Sequence, residues 1–249
     1  MGRITDTVKV LIIINVLFFV GKMMVGDVAD RLFSLYYFES PNFKFWQPIT
    51  HMFMHADFMH ILFNMYALWA FGSPIEALWG RNKFIFFYLS AGLGAAFLHT
   101  AVNYYQVHSG METLLANGMG AAEIMELLNT TLQPGSYREI PILGLDSSMD
   151  FFTSYNTPAL GASGAVYGVL VAFGLMYPNM ELMLLFLPVP IKAKYFIPVI
   201  VLIDLFSGIT GFSLFGQGIA HWAHIGGALF GFIMAYYWKK NSFDNTRLY

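Results

Sequence analysis

The chain has 249 residues, of which 57% are hydrophobic and only 11% charged, against roughly 25% charged in ordinary globular domains. Its mean hydropathy is +0.58 and its formal net charge −2, which excludes a polar shell facing water on all sides and an overall basic surface for nucleic acid. With no cysteine, disulfides, thiolate catalysis and Cys-ligated zinc are excluded as well.

A membrane helix takes about 20 largely apolar residues, and six segments approach that length. The first covers about residues 10–25. A basic start and an apolar run to Val20 would suit a secretion signal, but Gly21-Lys22-Met23-Met24 follows in place of a small-x-small cleavage pattern. It is therefore read as a retained helix. Residues 24–57 form a long external stretch whose aromatics (Phe33, Tyr36, Tyr37, Phe38, Phe43, Phe45, Trp46) suit the membrane interface. The second and third helices cover about 58–72 and 84–102. An external insertion of about 104–159 follows, with one amphipathic helix expected near 121–132, where Ile124, Met125, Leu127 and Leu128 recur at helical spacing. The remaining helices cover about 160–177, 196–215 and 219–238; the fifth is interrupted by Pro198, Asp204, Gly208 and Gly211. The expected fold is an all-α membrane protein, one domain over 1–249 built as a six-transmembrane-helix bundle.

Basic residues favour the cytoplasmic side of a membrane. With the N-terminus inside, Arg3, Lys9, Arg81, Lys83, Lys192, Lys194, Lys239, Lys240 and Arg247 lie inside, and Lys22, Arg31, Lys44 and Arg138 outside. The bias places both termini in the cytoplasm and requires an even number of spans.

Polar side chains inside a membrane are costly, and each is a functional hypothesis. In this topology helices two, four and six run from outside to inside. His60 and Asn64, Ser163, and His224 therefore meet near their outer ends, at one depth. A transport path would string polar groups through the whole thickness, so a transporter or channel is disfavoured. Ser163 needs a base to become a nucleophile, and His224 is the candidate. Gly164 with Gly168, and Gly227 with Gly231, are four-residue pairs that let helices four and six approach closely. His60 and Asn64 share a helix face. With the Ser163 backbone N–H they can donate to an oxygen that gains negative charge during attack on a peptide carbonyl. Tyr167, one turn after Ser163, can stack on His224. No Asp or Glu stands beside His224 in the sequence, so a Ser–His dyad is expected rather than a triad.

His51 and His55 have metal-ligand spacing, but no HExxH, carboxylate or cysteine completes a set. Neither metal nor cofactor is expected. Both rings are expected to hydrogen-bond the external stretch to helix two, His221 to sit at the water boundary, and His99 and Asp204 to serve helix packing.

The segments Thr50–His55 and His60-Ile61-Leu62-Phe63-Asn64-Met65, the motif Gly161-Ala162-Ser163-Gly164 with Tyr167, and Ala223-His224-Ile225-Gly226-Gly227 followed by Gly231 together resemble the rhomboid protease family. The match spans most of the chain, in the family's order and on alternating helices. The resemblance implies an intramembrane serine endopeptidase with Ser163 as nucleophile, His224 as base and His60 and Asn64 as oxyanion donors. Its substrates would be membrane-anchored proteins, cut near the outer end of a transmembrane segment and preferably after a small residue. It further implies that the fifth helix and the Gly- and Phe-rich 207–220 stretch gate lateral access. Trp46-Gln47 departs from the family's frequent Trp-Arg, and the external insertion is long for a simple bacterial member. The main alternative is a non-catalytic relative that binds membrane clients, disfavoured because both Ser163 and His224 are present. A multi-pass protein of a bacterial cytoplasmic membrane, in contact with lipid and with no nucleic-acid partner, is expected.

Overall fold

The computed structural model describes residues 3–129, 138–184, 187–213 and 218–245. Helix α1 (Asp6–Val25) buries Val8, Leu11 and Asn15 on one face and exposes Val10, Ile13, Leu17 and Val20 on the other. Its first turn is capped from outside. The Glu76 carboxylate accepts from the backbone N–H groups of Thr7 and Val8, both at 3.0 Å, and from the Thr5 hydroxyl. An anion at the positive end of a helix satisfies donors that have no partner within the helix.

The external stretch holds α2 (Asp27–Phe33), α3 (Gln47–Thr50) and a 3-10 turn, His51–Phe53. Gln47, fully buried, ties it together. Its amide donates to the Arg31 and Asn42 carbonyls, both at 3.1 Å, while its Oε1 accepts from the Tyr36 N–H at 3.3 Å. Helix α4 (Phe58–Ala67) passes through a π-helical turn, Leu68–Gly72, into α5 (Ser73–Trp79), so the second expected helix is longer than 58–72.

Helix α6 (Arg81–Ala116) corrects the expected boundary at residue 102. Its 36 residues, at about 1.5 Å each, reach well past a hydrocarbon core of about 30 Å. The outer end packs with α7 (Ala121–Asn129) and α8 (Leu145–Asn156). Together they enclose a second apolar core of Val107, Leu114, Ile124, Leu128, Phe151 and Phe152. Among the described residues the insertion thus holds the end of α6, the expected amphipathic helix as α7, and a further helix, α8. Residues 130–132 of the amphipathic helix expected there lie outside the described residues.

Helix α9 (Ser163–Met176) is followed by an antiparallel hairpin, β1 (Glu181–Leu184) with β2 (Leu187–Lys192), in which Glu181 faces Lys192 and Leu182 faces Ile191. The hairpin lies between the fourth and fifth expected helices, where no element is expected from the sequence. Helix α10 (Ala193–Thr210) starts and ends earlier than expected, at 193 and 210 rather than 196 and 215; residue 215 lies outside the described residues. Helix α11 (His221–Asn245) extends past the expected 238.

The main core lies where α4, α6, α9 and α11 meet, around Leu68, Phe84, Phe87, Val169 and Ala235. Helix α11 is sandwiched between α6 and α9, with glycine at each contact. A Cβ on Gly226 would lie 2.6 Å from the Gly94 carbonyl oxygen, and one on Gly227 only 1.8 Å from that of Gly164. Backbones this close leave no room for side chains. Outward faces are apolar instead of polar, as with Tyr195, Val199, Leu202, Phe206 and Ile209 on α10. Among the described residues α1, α6 and α10 are long and apolar enough to cross a membrane; α9 is apolar but has 14 residues. This is the exterior of an integral membrane protein.

Candidate active site

The chain enters α9 through a segment stapled on both sides. Leu35 and Ala159 exchange backbone hydrogen bonds of 2.8 and 2.9 Å, and the Gly161 N–H donates to the His51 carbonyl at 2.9 Å. Gly161 has φ +129°, a left-handed conformation that glycine adopts without strain. Ser163 is the first residue of α9, so its N–H and that of Gly164 belong to the first turn, whose donors have no partner within the helix.

The structure brings Ser163 and His224 together. The Ser163 hydroxyl donates to His224 Nε2 at 2.8 Å. Tyr167 stacks on the His224 ring, with centroids 4.2 Å apart and planes 12° from parallel. The packing that permits this is the glycine contact below the site. Gly164 and Gly168 of α9 face Gly227 and Gly231 of α11, and a Cβ on Gly231 would meet Gly168 Cα at 2.5 Å.

His60 lies across from Ser163. A methyl added to Gly161 would stand 2.8 Å from His60 Nε2 and 3.5 Å from Ser163 Oγ. Because residue 161 is glycine, that position between the two side chains is not taken by its own side chain. The Ala56 N–H donates to His60 Nδ1 at 3.3 Å. An accepting Nδ1 in a neutral ring puts the proton on Nε2, turning a donor towards the site. Asp57 caps α4 by accepting from the His60 N–H at 2.9 Å, which fixes the start of the helix. Asn64, buried one turn later, spends one amide hydrogen on the His60 carbonyl at 2.9 Å. Its second amide hydrogen is left for another acceptor.

Sequence reasoning missed Asp204. It is buried on α10, and its Oδ1 accepts from His224 Nδ1 at 3.1 Å and from His221 Nδ1 at 2.5 Å; the Tyr167 hydroxyl donates to Oδ2. His221, only partly buried, is thereby tied to Asp204, with Nε2 3.2 Å from Ser213 Oγ. The signal was available, since a carboxylate within an apolar helix needs a reason. Asp204 lies twenty residues before His224 in the sequence, on the preceding helix.

Two other expectations are corrected. Among the described residues the His51 ring bonds within its own turn, Nδ1 to the Gln47 carbonyl at 3.0 Å. Neither ring nitrogen of His55 has a hydrogen-bond partner among the described residues. The links from this stretch run through backbone carbonyls instead: His51 to Gly161, and His55 to the Lys22 ammonium at 3.0 Å. Burial holds the His51 imidazole down to about 4. Burial, and secondarily the neighbouring His60, hold His55 down to about 3. His99 contacts Asn103, with Nε2 3.2 Å from the amide nitrogen, which agrees with a packing role.

Residues 42–241 match the model of the Rhomboid domain. The chain belongs to the rhomboid family. Among rhomboid relatives, it is 26% identical to an uncharacterized mitochondrial rhomboid protein of Schizosaccharomyces pombe, over 89% of this chain and 57% of that protein. It is 25% identical to the mitochondrial rhomboid protein 1 of Saccharomyces cerevisiae, over 77% and 41%. It is 30% identical to the mitochondrial presenilin-associated rhomboid-like protein of Mus musculus, over 72% and 34%. The chain thus spans between about a third and somewhat over half of these rhomboid proteins. Their names place them in mitochondria, at odds with the bacterial cytoplasmic membrane expected from the sequence.

Proposed function

We propose that this rhomboid chain is an intramembrane serine endopeptidase that cleaves transmembrane segments of membrane-anchored proteins. The observation that carries the reading is the 2.8 Å hydrogen bond from the Ser163 hydroxyl to His224 Nε2. Ser163 attacks the scissile carbonyl while His224 takes its proton, then returns that proton to the leaving amine. The tetrahedral oxyanion is met by His60 Nε2–H, by the second Asn64 amide hydrogen and by the Ser163 N–H at the positive end of α9. Gly161 supports this by leaving clear a position at hydrogen-bond distance from His60. Tyr167 holds the His224 ring by stacking. Gly164, Gly227 and Gly231 hold the two helices close enough for the proton to pass.

The spans of the proposed bundle are α1, α4 with α5, α6, α9, α10 and α11, with both termini on the cytoplasmic side and residues 1–249 acting as one membrane domain. Helix α9 is about 21 Å long at 1.5 Å per residue, shorter than a hydrocarbon core of about 30 Å. In this reading the shortfall lies at the outer end, so that Ser163 stands below the outer surface of the bundle.

The test is cleavage of a substrate carrying a helix-destabilised transmembrane segment by the purified, detergent-solubilised chain. Wild type should cleave it, whereas Ser163→Ala and His224→Ala should not. A folded wild type that cleaves none of several such substrates would favour a client-binding protein without catalysis.

A further inference from the structure

Asp204 stands on a different helix from every other member of the site. Helix α10 turns Ala193, Ile197, Asp204 and Ser207 inward, and Tyr195, Val199, Leu202, Phe206 and Ile209 outward. The inward carboxylate receives three hydrogen bonds, one from Tyr167 on α9 and two from His221 and His224 on α11. Each of these groups has its other end engaged: Tyr167 stacks on His224, His221 Nε2 meets Ser213 Oγ, and His224 Nε2 meets Ser163 Oγ. The pattern is self-consistent with both histidines neutral and protonated on Nδ1. It is the tautomer in which His224 Nε2 can accept the serine proton.

Asp204, His221 and His224 are also ligand types of a divalent-metal site. Their N···O separations of 2.5 and 3.1 Å are those of hydrogen bonds. An ion about 2.0–2.2 Å from each atom in tetrahedral geometry would hold them farther apart.

We propose that Asp204 is a positioning residue for His224, and that because it stands on α10 the base is fully oriented only while that helix is docked against α9 and α11. The inference rests on the protease reading above. When His224 takes the proton of Ser163 it becomes an imidazolium inside an apolar bundle, and the Asp204 carboxylate faces that charge through Nδ1–H. Removing the carboxylate leaves the cation without a counter-charge and frees the ring to adopt the other tautomer. The same three hydrogen bonds tie α10 to the helices bearing nucleophile and base. A substrate that displaces α10 on its way in therefore disarms the base, which regains its orientation once α10 closes again. Chemistry would follow closure, not first contact.

The experiment measures three quantities on the full chain in detergent: the rate of Ser163 phosphonylation by a fluorophosphonate, kcat and KM for a transmembrane substrate, and the melting temperature. Asp204→Asn is expected to lower both the labelling rate and kcat on the order of 10²-fold, with KM unchanged or lower because α10 is less firmly held. Tyr167→Phe keeps the ring stack but removes one donor to Asp204, and is expected to lower kcat a few-fold at unchanged melting temperature. Labelling of Asp204→Asn at the wild-type rate overturns the positioning role. A KM that rises as kcat falls overturns the coupling to α10. A folded wild type whose Ser163 does not react refutes the protease reading itself, and this proposal with it.

Discussion

Helices α9 and α11 are joined backbone to backbone, whereas α10 is joined to them through side chains. In the first contact Gly164 and Gly168 meet Gly227 and Gly231, with no space for even one methyl group. In the second, a carboxylate meets two imidazoles and a phenol, and Gly208 faces the Trp222 ring, a side chain that need give only a few tenths of an ångström for a Cβ 3.2 Å away. Packing at close range is unforgiving and gives one geometry. Hydrogen bonds between side chains can break and reform. The division matches the chemistry proposed: the two reactive atoms sit on the pair packed backbone to backbone, and the group that orients the base sits on the helix held to it by side-chain hydrogen bonds.

The largest expected effect breaks the rigid half. In Gly227→Ala the added methyl would be driven into the Gly164 carbonyl, 1.8 Å away, and α9 and α11 would have to separate. Loss of both the cooperative melting transition and all hydrolysis is expected, read by thermal unfolding in detergent and by substrate cleavage. Gly208→Ala, the matched change on the α10 side, should leave a folded protein; equal damage from the two substitutions would remove the contrast.

Next comes the oxyanion side. His60→Ala should lower kcat by about 10²-fold, or about 3 kcal/mol of transition-state stabilisation, with the melting temperature nearly unchanged. A steady-state assay on that variant decides whether the ring serves the reaction or only fills space. Gln47→Leu should act the other way, on stability and not on chemistry. It strips partners from three backbone groups of the external stretch and should cost about 3 kcal/mol, measured by denaturation. Residual activity per folded molecule should stay at the wild-type level.

The smallest effect is a pH dependence. His51 and His55 are held by burial at about 4 and about 3, below the usual value of about 6.5. Depressed imidazoles stay neutral in the fold while the unfolded chain takes up protons. Their contribution is therefore full above about pH 6.5 and is lost progressively as the pH falls towards 4 and 3. Each should cost about 1–2 kcal/mol between pH 6.5 and 5. Melting curves across that range should show the loss, and His55→Phe should flatten it.

Much of this was legible because a bilayer makes polar residues conspicuous. Ser163, His224, Tyr167 and the glycine pairs stood out against apolar helices, and the structure brings them into contact. Helix α6 was cut short at 102 because Asn103, Gln106, His108 and Glu112 end the apolar run. The helix continues because Val107, Gly110 and Leu114 pack inward, with Gly110 so close to Phe151 that a Cβ would lie 2.4 Å from its ring. That partner lies more than forty residues away, so no local window contains it. Asp204 was missed for the same reason: its meaning comes from His221 and His224 on the next helix. The Gln47 bonds to Arg31, Tyr36 and Asn42 likewise depend on how the external stretch folds back on itself.

The central claim is that His224 activates Ser163, and the most direct measurement is the rate at which a fluorophosphonate labels the intact chain, with the modified residue located by peptide mass analysis. The account predicts modification at Ser163 in wild type, none in Ser163→Ala, and labelling slowed on the order of 10²-fold or more in His224→Ala. Equal labelling of wild type and His224→Ala, or modification at another residue, would contradict it.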